Sequence, residues 1–333
     1  MDNMKQLMID GYLCNPQQAC TLRRFTLGEG KARGAQVIEV VTAGGLQIDF
    51  LPDSGLDIGQ VRYKGLNMSW ISKNGYDAPG ADNPFENEFL HYFPGGLLFT
   101  SGLRSTGPGN RDGGEWHPLH GHYHGTPAEQ VCARIEDDVV IVSGVIRETA
   151  LFGHVLEMRR EYRVPVFGAE IQLNDTLTNL AHAPQEYAVL YHCNFGWPLV
   201  SEDAVLELPE DRRTTPRTPF AATGLGQETT FVRPVPNEEE RVFFHENMER
   251  RAAIVNPKLN TRMTITWSDT LPILSHWHSM ASGDYVCGLE PSNTYIMGRA
   301  NERKNGTLPT LKPFESVHNS VAIQFSDAVQ KEN

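Results

Sequence analysis

Residues 155–164 read VLEMRREYRV, and their alternation decides the fold. Leu156, Met158, Tyr162 and Val164 share one face of an extended chain, together with Arg160. Glu157, Arg159, Glu161 and Arg163 share the other. Such period-two patterning predicts a strand in an antiparallel sheet with one buried and one wet side. Working outward, 46–51 (LQIDFL) alternates in the same way. Further strands are predicted over 37–41, 139–146, 169–178, 186–192, 262–267, 285–290 and 319–325. No amphipathic helical stretch exceeds about three turns. Gly and Pro are spread along the whole chain as turn punctuation, so an all-β sandwich or barrel is expected, in one large domain over 1–333. The polar, Pro-rich segment 201–240 reads as solvated loops with short strands.

The chain has 333 residues, enough for a large core, and 29 Lys plus Arg against 41 Asp plus Glu leave a formal charge of −12. That balance argues against nucleic acid and against anionic membrane surfaces as partners. No apolar run approaches the roughly 18 residues of a spanning helix. The first residues lack the apolar core of a signal peptide. Five scattered cysteines form no CxxC pair, so they read as reduced, mostly buried thiols of a cytoplasmic protein.

Chemistry concentrates in four places. The segment EWHPLHGHYHGTPAE (115–129) carries His117, His120, His122 and His124. On a strand the last three would share a face, either as metal ligands or as hydrogen-bond donors to a hydroxylated ligand. Gly121 and Gly125 argue instead for a loop, and no Asp or Glu completes a ligand set, so no metal is assigned. Glu290 follows an apolar strand, and Pro291 directly after it is expected to end the ladder. There, partial burial would raise its pKa toward that of a general base; a strand-end salt bridge is the plainer reading. His192 and Asn194 would share a face of the strand ending in YHCNFGWP. Trp277, between His276 and His278, offers an indole face on which a pyranose stacks. No Gly-rich phosphate loop is present, and no cofactor is expected.

The order of short motifs, GGLLFTSGL (95–103), HPLHG (117–121), YHCNFGWP (191–198), YVCGLEPSN (285–293) and LKPFESVHNSVAIQF (311–325), resembles the aldose 1-epimerase (galactose mutarotase-like) superfamily. With DSGLDIG (53–59) and KGLNMSW (64–70) it is most similar to the aldose 1-epimerase-like branch bearing the domain of unknown function numbered 4432. The likeness runs from about residue 30 to 325. It implies a β-supersandwich and an isomerase that interconverts the anomers of a free sugar. Glu290 would be the general base on the anomeric hydroxyl, His192 the general acid on the ring oxygen, and His120 a sugar contact. Arg104 is the nearest counterpart of a sugar-binding arginine, and His122, Asn194, Trp277 and His278 complete the expected sugar site. The family's substrate-binding aspartate has no clear match in 231–245. Two other functions stay open, a metal-dependent sugar isomerase using His117–His124 and a non-catalytic carbohydrate-binding protein. Arg104, Arg299 and the histidines would tolerate an acidic substituent. The identity of the sugar and the oligomeric state stay open.

Overall fold

The computed structural model describes residues 3–78, 80 and 89–328. Two large sheets dominate, and every strand pair within them is antiparallel. In the first, ten strands follow one another across the sheet: Cys20–Thr26, Gln36–Thr42, Leu46–Leu51, Asp57–Tyr63, Leu98–Leu103, Ala188–Phe195, Asp284–Ser292, Ile273–Ala281, Arg241–Glu246 and Arg213–Pro216. The two-residue strand Leu66–Asn67 pairs beside this path. The second sheet has eight strands, in which Ser316–Ser326, Glu170–Asn179, Val155–Pro165 and Val139–Thr149 are successive neighbours. The arrangement is the galactose mutarotase-like β-supersandwich. The described helices are short, the longest being the seven-residue Arg299–Asn305, and none is long and apolar enough to cross a membrane.

One apolar core fills the space between the sheets, because alternate residues of both turn inward. Ile48, Phe50, Tyr191 and Leu289 come from the first sheet, and Leu156, Met158, Tyr162, Val164 and Ile323 from the second. Arg160, the charged residue on the apolar face of 155–164, is 1% exposed. It reaches across the core to Asp57 (2.6 Å) and lies beside Asp175 of its own sheet (2.8 Å). Its Nη2 also donates to Thr100 Oγ1 (2.8 Å), and Tyr191 Oη donates to Asp175 (2.9 Å). Every charge in this buried group thus has a partner of opposite sign and a hydrogen bond.

The expected strands all occur, most of them longer than the alternation suggests. Two details differ. Glu157, on the outer face, is buried because Arg147 and Arg159 close over it, each at 2.8 Å. Pro291 does not end its strand, which runs on to Ser292. Cys20, Cys193 and Cys287 are buried free thiols, whereas Cys14 and Cys132 are exposed.

Candidate active site

The strands Leu98–Leu103, Ala188–Phe195, Asp284–Ser292 and Ile273–Ala281 lie side by side in the first sheet. Residues of the last three that face away from the inter-sheet core form the floor of a cavity of about 520 Å³. Cys193 lies opposite Leu289 and Leu190 opposite Ser292. That register sets His192 across from Glu290 on neighbouring strands, with Phe99 beside His192 and Ser275 beside Glu290. His192 Nε2 is 3.3 Å from Glu290 Oε1. Neither carboxyl oxygen receives a hydrogen bond from the protein, and His192 Nδ1 has no partner.

The walls explain the electrostatics. Trp70, Phe89, Phe93 and Phe99 form an apolar cluster against which Trp277 packs. The Trp277 and Phe93 rings each lie 5.5 Å from the His192 ring. Low polarity penalises charge. Burial lowers the His192 pKa to about 4 and lifts that of Glu290 well above the usual carboxylate range. Both are pushed toward the neutral form. Gly288 makes the geometry feasible, since a Cβ there would stand 2.6 Å from Glu290 Oε1 and 3.0 Å from Trp277 Cβ.

His120 also lines the cavity, its ring 5.6 Å from that of His192. It is not part of a strand. Its φ is +61° and that of Gly121 is +76°, a tight turn in which a Cβ on Gly121 would strike Gly102 O at 2.4 Å. The turn sends the neighbouring histidines elsewhere, so 120, 122 and 124 do not share a face. His124 packs on Phe99 at 4.4 Å and on Phe89, while His122 and His117 are not among the cavity residues. Among the described residues no group of three or more His, Cys, Asp or Glu side chains is placed to hold a metal ion.

Four expected site residues lie outside the lining. Asn194 is buried and its amide donates to Gly96 O (3.1 Å) and His192 O (3.0 Å), bracing the strand behind the site. His278 points away from the cavity, stacks on Phe231 at 5.8 Å and approaches Thr230 O at 3.0 Å. Arg104 is ion-paired with Glu115, and His122 stands near Glu148 on the same side as Arg104. Arg299 belongs to that region too, held by Asp112 (3.0 Å) and Glu186 (2.8 Å).

The segment 201–240, expected to be a solvated excursion, supplies part of the wall. Arg217, Glu238 and Glu240 line the cavity. Glu240 is fixed at both oxygens, receiving Arg217 Nη2 (2.9 Å) and Trp277 Nε1 (2.8 Å). Lys73 and Asp284 form another wall pair at 2.7 Å. The Pro-rich composition of 201–240 carries no periodicity that would have marked these side chains.

Among solved structures the chain is similar to a protein provisionally named aldose 1-epimerase from Klebsiella pneumoniae, with 26% identity and a TM-score of 0.83 over 95% of this chain and 87% of that one. It shares its fold with a galactose mutarotase-like protein of Clostridium acetobutylicum (17% identity, TM-score 0.65, 93% and 99% covered). The same holds for galactose 1-epimerase of Lactobacillus acidophilus (13% identity, TM-score 0.64, 93% and 100% covered). No curated protein matches the chain. Residues 32–325 match DUF4432, a domain of unknown function, and the chain belongs to that family.

Proposed function

We propose that this protein is a sugar mutarotase, interconverting the anomers of a free sugar at the His192–Glu290 pair. The observation that carries this reading is the 3.3 Å contact between an imidazole and a carboxyl whose two oxygens have no protein donor, on the floor of a Trp- and Phe-walled cavity. Buried acceptors of that kind call for hydrogen-bond donors from a ligand. A pyranose supplies hydroxyl groups for them and an apolar face for Trp277. The names carried by proteins of similar structure agree with this class. We also read the chain as one domain, since a single core cluster includes residues from Met4 to Phe325.

The pair carries one proton between its two members over the working range. A sugar hydroxyl donating to Glu290 favours its carboxylate, and the proton then rests on His192. Glu290 takes the proton of the anomeric O–H while His192 delivers one to the ring oxygen. The C1–O5 bond breaks and the C1 carbonyl forms. Rotation about C1–C2 presents the other carbonyl face, and the reverse transfers close the ring with the opposite configuration. The test is a panel of freshly dissolved pure anomers followed by NMR. Exchange no faster than in protein-free buffer for every sugar refutes the proposal.

Two further results are expected. The pH dependence of kcat/KM should be flat around neutrality, because the singly protonated pair is active. Its acid limb reflects uptake of a second proton and should lie near the lowered His192 value of about 4, and its alkaline limb reflects loss of the only proton. Polarimetry across pH 4–9, corrected for buffer catalysis, checks this; an acid limb near 6.5 would contradict it. Trp277→Phe should keep a ring against the sugar but release Glu240 Oε2. KM should rise several-fold, on the order of one hydrogen bond of about 1 kcal/mol, with a smaller change in kcat. Saturation kinetics by polarimetry separates the two.

A further inference from the structure

The charges around the cavity limit which sugars it accepts. Among its described lining residues the cations are Lys73 and Arg217, and the carboxyl groups above the floor are Glu238, Glu240 and Asp284. Neither cation is free, since Lys73 holds Asp284 at 2.7 Å and Arg217 holds Glu240 at 2.9 Å. Glu238 is paired with Arg241 at 2.5 Å, a residue outside the lining. The histidines add no net positive charge, because burial drives His120 toward its neutral form and the single proton shared by His192 and Glu290 leaves that pair neutral overall. Arg104 and Arg299, which the sequence offered as partners for an acidic substituent, are engaged in ion pairs away from this space.

We infer that the substrate is a sugar without an anionic group, and that the paired carboxylates of the wall exclude sugar acids and sugar phosphates. An incoming carboxylate or phosphate would enter a cavity whose lining above the floor carries three carboxylates, Glu238, Glu240 and Asp284, against two cations, so the lining itself repels an anion. The charge of Lys73 and that of Arg217 are each already matched by a carboxylate at hydrogen-bond distance, so neither offers an incoming anion an uncompensated positive charge. A neutral sugar meets no such conflict. Its hydroxyls can donate to Glu240, whose two oxygens are oriented by Arg217 and Trp277.

This inference rests on the sugar-site reading but is tested apart from it by binding of locked glycosides, which cannot mutarotate. Methyl glycosides of gluco and galacto configuration are compared with their methyl glycosiduronates by calorimetry and saturation-transfer NMR. The neutral member should bind on the order of tenfold more tightly at low salt, and the gap should narrow at high salt. In Glu238→Gln with Asp284→Asn the gap should shrink several-fold; Glu238→Gln alone, which leaves the Lys73 pair intact, should shrink it less. Equal or tighter binding of the uronates overturns the inference, and so does binding of neither member of any pair. Kinetics separates the two claims. Glucuronate anomers exchanged as fast as glucose anomers would refute the exclusion and leave the mutarotase reading standing. Preferential binding of neutral glycosides with no exchange of any free sugar would do the reverse.

Discussion

Glu290→Gln is expected to lower the catalysed rate of anomer exchange by about 10²–10⁴-fold, the usual worth of a positioned proton acceptor. His192→Asn should lose a similar factor. The double variant should lose little more than either single one, because proton removal at the anomeric hydroxyl and proton delivery at the ring oxygen belong to one event. The fold should tolerate Glu290→Gln, since burial already favours an uncharged group at this position and the amide has nearly the same shape. Rates by NMR exchange on the best substrate, with melting curves recorded beside them, check the expectation. Full activity in both single variants would rule out the assigned pair.

The largest expected effect on stability lies at Arg160. Arg160→Met fills much of the same space but leaves Asp57 and Asp175 facing each other's surroundings without their cation. Breaking a buried ion pair from one side typically costs about 3–5 kcal/mol. Burial already raises the Asp57 pKa even with Arg160 in place, so the variant should relieve part of its cost by protonating a carboxyl, and it should be less destabilised at acid than at neutral pH. Adding Asp57→Asn and Asp175→Asn should recover part of the loss for the same reason. Urea unfolding of the three proteins at two pH values measures this. A loss below about 1 kcal/mol would show that the group contributes little beyond filling space.

The sheets were legible in the sequence because alternation reports which side of a strand is dry, and 155–164 shows it plainly. Even its one anomaly, Arg160 among apolar neighbours, was visible, although its partners from Asp57, Thr100 and Asp175 come from distant segments. Glu290, His192, His120 and Trp277 were found as separate signals, and the structure brings all four to one cavity. Arg104 was singled out by nearness along the chain, yet Glu115 claims it first. The row of histidines misled because a glycine turn undoes the two-residue spacing. Arg217 and Glu240 were missed because loop residues carry no periodic signature, and only tertiary placement gives them a role.

The strand Ala188–Phe195 presents Tyr191 to the core and His192 to the cavity. A slip of its pairing by a single position would trade those two side chains. The phenol that donates to Asp175 would be exiled to the cavity, and the imidazole would be driven in beside Arg160. Insertions or deletions between 188 and 195 therefore strike architecture and chemistry at one blow. The reading frame of this strand is fixed twice over.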